Sequence, residues 1–165
     1  MRARVCLLSL AEERSQVFDP SRDLPITEAR KKTKARKNLS GLRVLRFEQL
    51  SNKVIGAALA VHRELGPGFL ESVYHSAMRV SLTHRAISFE SQFPVDIAFE
   101  GVPVGRGRID LVIDSQIVLE LKSVDQLHDI HFVQLRSYLR AAHLHLGLLL
   151  NFNSPTLTIR RVIVD

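Results

Sequence analysis

The stretch "RIDLVIDSQIVLELK", residues 108–122, constrains this chain more than any other. Two runs of aliphatic and β-branched residues flank Asp114, Ser115 and Gln116, the pattern of a buried hairpin. Asp110, Glu120 and Lys122 interrupt the apolar runs. The length of the turn decides what faces what, because a slip of one residue moves every side chain to the other face of the sheet. A two-residue turn at Asp114-Ser115 sets Asp110 opposite Leu119 and sends Glu120 to the far face. A three-residue turn at Asp114-Ser115-Gln116 pairs Ile113 with Ile117, Val112 with Val118, Leu111 with Leu119 and Asp110 with Glu120. Only the second register separates the chemistry. Leu111, Ile113, Ile117, Leu119 and Leu121 then form an apolar face, and Asp110, Val112, Val118, Glu120 and Lys122 form the other. A hairpin must bury one face coherently, so the three-residue turn is expected.

In that register two carboxylates sit side by side, with Cβ atoms about 5 Å apart. Like charges at that separation destabilise each other unless a cation is shared between them. A hard divalent ion such as Mg²⁺ meets that need with carboxylate oxygens and water. The same residues also suit a structural Asp–Lys or Glu–Lys pair on a half-exposed strand. The hairpin alone leaves both readings open.

The rest of the chain supplies the context. Hydrophobic residues make up 45% of the 165, enough for an ordinary core, and the length suits one domain plus an extension. Charge is unevenly placed. Residues 1–46 carry 12 Lys/Arg against 5 Asp/Glu, net +7, and residues 47–165 carry 11 against 12, net −1. Residues 1–46, with "RKKTKARK" at 30–37, read as a basic extension, disordered or partly helical. Such a run serves either as a tether attracting nucleic acid without sequence preference or as a solvated tail. No apolar run approaches transmembrane length, so no membrane association is expected. The short apolar run near the start ends in "EER" without a cleavage site, so it is not read as a signal peptide. The single cysteine, Cys6, excludes an intrachain disulfide and fits a reducing cytoplasm.

Compact structure is expected from Phe47. Leu50, Val54, Ala57, Ala58, Val61 and Leu65 recur at helical steps, and "GPG" at 66–68 stops that helix, with Gly66 in the left-handed cap position. A second helix is expected at about 69–85, a strand at 93–100, a turn through "GVPVGRG", the hairpin, a helix over 127–142, and strands at 146–152 and 157–164. The predicted order is α-α-β-β-β-α-β-β, an α/β fold with a mixed central sheet flanked by helices.

Asp110, nine residues, then Glu120-Leu121-Lys122 resembles the D…E-x-K signature of the PD-(D/E)XK nucleases. The element order contains their αβββαβ, restriction-endonuclease-like core. Two further patterns strengthen the resemblance. "GFLESVY" at 68–74 matches G-x-x-E-x-x-Y through Gly68, Glu71 and Tyr74, and is similar to the GxxExxY proteins of that superfamily. Gln134 and Tyr138 resemble the Q-x-x-x-Y motif of its RecB-like nucleases, and "GLLLNF" at 147–152 resembles a late strand of the family. The likeness covers residues 47–164 and leaves out the extension.

The resemblance implies a Mg²⁺- or Mn²⁺-dependent nuclease acting on nucleic acid, most often DNA. It implies metal ligands at Asp110, Glu120, Glu71 and the Leu121 carbonyl, and catalytic roles for Asp110, Glu120, Lys122 and Gln134. Lys122 would hold or polarise the attacking water and stabilise charge on the phosphate. Glu71 and Tyr74, three apart, share a helical face; if that face packs on the polar side of the hairpin, Glu71 becomes a third carboxylate there. Tyr138, Arg108, Arg106 and Tyr74 are expected to approach nucleic acid, although Tyr74 suits packing equally well. The near-neutral domain offers no evident DNA channel, and a homodimer is one route to a larger surface. The alternative reading is a nucleic-acid-binding or regulatory module that keeps the fold without turnover. The pairs "HDIH" at 128–131 and "HLH" at 143–145 lack the four convergent ligands of a structural zinc site. "GRGR" at 105–108 has no phosphate-loop fingerprint.

Overall fold

The computed structural model describes the backbone of residues 26–165 and the side chains of residues 46–165. Contacts divide the chain after Leu42 into two units, and the second, Arg43–Asp165, contains the hairpin. Cys6 and most of the basic extension's side chains lie outside the described residues.

The described elements are α1 (Ile26–Leu65), α2 (Glu71–His84), β1 (Phe89–Phe99), β2 (Val102–Ile113), β3 (Ile117–Lys122), α3 (Asp129–Ala141), β4 (Leu146–Asn151) and β5 (Thr158–Ile163). The sheet runs β1-β2-β3-β4-β5, antiparallel throughout except for the parallel pair β3–β4. A parallel pair needs a crossover, and α3 supplies it. The result is the α/β, restriction-endonuclease-like architecture expected from the pattern, a mixed sheet with helices on both faces.

Two boundaries differ from the sequence reading. α1 starts at Ile26 and not near Phe47. The basic run consists largely of Lys, Arg and Ala, which are strong helix formers, and contains no proline. Of "GVPVGRG" only Gly101 lies in a turn, and the rest is the first half of β2. The reversal is made by Glu100 and Gly101, both with positive φ (50° and 79°), which is the requirement of a tight two-residue hairpin turn. Pro103 is tolerated because the β1–β2 register shifts between Ile97 and Ala98, beside its partner.

The three-residue turn is present: Ile113 pairs with Ile117, Val112 with Val118 and Leu111 with Leu119. Leu111, Ile113, Ile117, Leu119 and Leu121 are buried in one core with Val54, Ala58 and Val61 of α1 and Tyr74, Met78 and Leu82 of α2. Val112 and Val118 are buried in a second core with Leu135 and Leu139 of α3. The second face of the hairpin is therefore apolar over most of its length, and only its Glu120–Lys122 end is polar. α2 lies on the apolar face of the hairpin, because its stripe of Tyr74, Met78 and Leu82 needs apolar partners.

The β1–β2 ribbon changes face partway along. Phe89 packs toward α1 and α2, whereas Phe93 and Val95 pack toward α3. On β2, Leu111 lies in the first core and Ile109 in the second, although residues two apart in a regular strand share a face. The change occurs at Gln92, whose φ is +54°, and at Asp110 across from it.

Candidate active site

The β2–β3 ladder stops at Leu111 and Leu119, one residue short of the charged pair. From there the side chains take over the hydrogen bonding. The Leu121 amide donates to Asp110 Oδ2 at 2.9 Å, and the Asp110 amide donates to Glu120 Oε1 at 3.4 Å. Each carboxyl thus accepts a backbone hydrogen bond from the opposite strand, so buried amides are satisfied where the ladder ends.

Lys122 lies beside this pair. Its Nζ is 3.6 Å from Glu120 Oε2 and 4.0 Å from Glu71 Oε2, and its side chain is only 14% exposed. Glu71 comes from the first turn of α2, which reaches over the end of β3. One ammonium therefore serves two carboxyl groups, with the Asp110 carboxyl a third on the neighbouring strand. The imbalance shows in their acidity. Burial and then the nearby Asp110 charge push Glu120 up to about 8, against the pull of Lys122. Burial, with a further contribution from Asp110, also raises Glu71, and here too Lys122 opposes the shift. Raised carboxyls in a shared site mark a place short of positive charge.

The G-x-x-E-x-x-Y pattern has a physical reading in this arrangement. Gly68 has φ +106°, which a side chain would strain, and so turns the chain into α2. Tyr74 is fully buried. Its hydroxyl donates to the Gly66 carbonyl (2.7 Å) and accepts from the Phe69 amide (3.1 Å), and its ring stacks on Phe152 at 4.6 Å. The Ser123 hydroxyl donates to the Phe69 carbonyl at 2.6 Å. The tyrosine ties down the loop that delivers Glu71 to Lys122. Of the two roles open to Tyr74, the geometry leaves packing, since neither ring nor hydroxyl reaches the surface as a nucleic-acid contact would need.

The remaining expected residues lie apart from the carboxyl cluster. Gln134 is exposed on α3 and its Nε2 donates to the Tyr138 hydroxyl at 3.3 Å. The Tyr138 ring covers Gly107 of β2 so closely that a Cβ there would come within 2.7 Å of Cε1. Arg106 and Arg108 flank that glycine, exposed on the projecting half of the ribbon, and Arg106 pairs with Asp96 at 3.0 Å. His131 stands closer. Burial, the Lys122 charge and His128 hold it below the usual histidine range. Its Nδ1 accepts from the His128 amide, so "HDIH" forms the start of α3.

Two residues escaped the sequence reading. Asn151 is buried and holds the segment after Lys122, exchanging hydrogen bonds with both the amide and the carbonyl of Val124 (3.1 and 2.7 Å). His75 reaches the Asp110 carbonyl at 3.2 Å. Its signal was its place one helical turn after Glu71, on the same face.

Among the described residues, no three His, Cys, Asp or Glu side chains stand ready to hold a metal ion as they are placed. The donor chemistry nevertheless suits a hard dication: oxygen ligands, a deficit of positive charge, and a buried carboxyl whose ionisation awaits a counter-charge.

A central strand pair that opens onto two carboxyls and a lysine, in a mixed sheet between helices on both faces, defines a restriction-endonuclease-like class of α/β protein. The PD-(D/E)XK nuclease superfamily matches this sequence over residues 48–162, and the chain belongs to it. Among curated proteins, none matches the chain. The crystal structure of SSO0001 is similar over 57% of this chain, at 20% identity and a TM-score of 0.46. The chain spans 50% of that protein's length.

Proposed function

We propose that the protein is a divalent-metal-dependent phosphodiesterase acting on nucleic acid, with DNA as its principal substrate. The observation that carries this reading is Lys122 standing within 4.0 Å of both Glu71 and Glu120, beside Asp110, at the end of the β2–β3 ladder. Asp110, Glu120 and Glu71, with the Leu121 carbonyl, would hold a magnesium or manganese ion. Such an ion supplies Lewis-acid stabilisation of charge on a phosphate and makes water more acidic. The Lys122 ammonium, fixed in a largely buried position, orients water and stabilises negative charge as it develops on the scissile phosphate. Tyr74 and Gly68 place Glu71, and the Leu121 amide orients Asp110. The Gly68, Glu71 and Tyr74 pattern supports placement in the GxxExxY group. The basic run at 30–37 would add affinity without sequence preference.

The second reading, a binding module without turnover, draws on the absence of a preassembled three-ligand set among the described residues. One experiment separates the two. Single- and double-stranded DNA and RNA are incubated with the protein in Mg²⁺, Mn²⁺ or EDTA. Cleavage that needs the metal, and that falls about 100- to 1,000-fold in a Lys122→Ala protein that remains folded by circular dichroism, supports the enzyme. Binding without cleavage in any metal supports the module. Cleavage that survives in both Asp110→Asn and Glu120→Gln would place the chemistry elsewhere.

A further inference from the structure

We propose that His75 is a positioning residue, holding Asp110 by its main-chain carbonyl at the point where the β1–β2 ribbon changes face. The role rests on reading Asp110 as part of the phosphodiesterase site. Asp110 is the one residue between Gly105 and Ile113 that has no ladder partner on β1, and the ladder to β3 also stops before it. A strand residue skipped on both sides has no ladder partner to fix its position in the sheet. Yet this residue must present its carboxyl to Leu121 and its amide to Glu120.

His75 fills the gap. Its Nε2 lies 3.2 Å from the Asp110 carbonyl, 3.2 Å from Ser91 Oγ and 3.2 Å from Gln92 Nε2. Of these three the carbonyl can only accept, the hydroxyl can rotate to donate or accept, and the Gln92 Nε2, as placed, can only donate. In the proposed tautomer Nε2 carries the hydrogen and gives it to Asp110, with the Gln92 amide turned so that its nitrogen no longer faces the imidazole. Gln92 is also the left-handed residue at which β1 turns over. The imidazole thus stands against both strands of the ribbon where their faces change. It comes from the helix that also supplies Glu71, so α2 sets the spacing between Glu71 and Asp110. Groups that orient a ligand in this way matter nearly as much as the ligand itself.

The test uses the full chain and three substitutions. His75→Leu removes the hydrogen bond and keeps the bulk. His75→Gln can restore a donor at similar reach. His75→Asn is polar but too short, and replaces the leucine variant if that fails to fold. In metal-free protein, amide hydrogen exchange at Leu121 and Asp110 is expected to quicken roughly ten-fold in His75→Leu or His75→Asn, as loss of one local hydrogen bond allows. Exchange at Leu149 and Leu150 should stay as in the wild type, and His75→Gln should recover slow exchange. Calorimetry with Mn²⁺ is expected to show affinity about 10- to 100-fold lower in the leucine variant, again recovered by glutamine. Unchanged exchange at Leu121, or faster exchange throughout the core, overturns the proposal. If the wild type binds no Mn²⁺ while the local exchange pattern holds, the positioning of Asp110 stands and the phosphodiesterase reading fails.

Discussion

The two ends of the β2–β3 hairpin obey different rules. At the turn end, Ile113 and Ile117 pair directly, both are fully buried, and backbone bonds only to backbone. At the other end, the ladder stops, Asp110 and Glu120 bond the opposing amides with their side chains, and Lys122 sits between carboxyls. The same two strands, a few residues apart, serve first as core and then as site. The transition needs two departures from regularity: a left-handed Gln92 on one side and an early end to pairing on the other. Where strands satisfy each other, charge has no place. Where they part, side chains must satisfy the backbone, and the residues able to do so are those that can also bind a cation or a phosphate.

The largest contrast lies between stability and chemistry. Ile117→Ala at the turn end should cost about 2–5 kcal/mol of unfolding free energy, because Ile117 is fully buried in the core between its strand partners Ile113 and Leu146. Asp110→Asn at the open end should leave the urea midpoint within a small fraction of that change, since an amide oxygen can still accept from Leu121, while removing most metal-dependent cleavage. Chemical denaturation of the two variants side by side is the measurement. An Asp110→Asn midpoint as low as that of Ile117→Ala would erase the distinction between core end and site end.

A smaller effect separates the arm of the ribbon from its base. Gly107→Ala pushes a methyl group to within 2.7 Å of Tyr138 Cε1 and 3.0 Å of a Val95 methyl. The tyrosine ring must move, at about 1–3 kcal/mol, the usual range for overpacking. Its hydroxyl would then lose Gln134. If Tyr138 and Gln134 approach substrate, the variant raises KM for nucleic acid more than it lowers kcat. A pure stability loss with unchanged KM would make the pair structural.

How much of this was legible in the sequence follows the same division. The register of the hairpin could be read because alternation of Leu111, Ile113, Ile117, Leu119 and Leu121 permits one buried face. The element order could be read for the same reason. The flip at Gln92 could not. Nothing in "FESQFPV" signals a positive φ at a glutamine, and the side chain it meets there, His75, comes from a different element. The side of the hairpin chosen by α2 could not be read, because Glu71 and Tyr74 share a helical face yet take different environments. A residue at the first turn of a helix can reach past the sheet's end while its neighbour three positions on is buried beneath it. The run "GVPVGRG" looked like a turn because glycine and proline usually punctuate. Here one glycine admits the Tyr138 ring and the proline sits beside a register shift.

The smallest expected effect is also the most specific to the open end. Glu120 titrates near 8 in the folded protein and near 4.5 when unfolded. Between those values the folded state holds a proton that the unfolded state has released, so this group's contribution to stability is complete below about pH 4.5 and is lost as pH rises through about 8. Glu120→Gln cannot ionise and removes that dependence. At low pH its melting temperature carries a constant offset, because the substitution disturbs the contact with Lys122. With rising pH the variant should gain on the wild type by several degrees and level off above about pH 9, as proton linkage requires. Adding Mg²⁺ or Mn²⁺ should reverse the trend, since a dication stabilises the ionised Glu120 of the wild type and gains less from the amide. The slope of the melting-temperature difference against pH, measured in EDTA and then in metal, is the quantity to follow. A difference that stays flat from about pH 5 to about pH 9 would mean that Glu120 is ionised throughout, and that the open end is a settled ion pair and not a site short of positive charge.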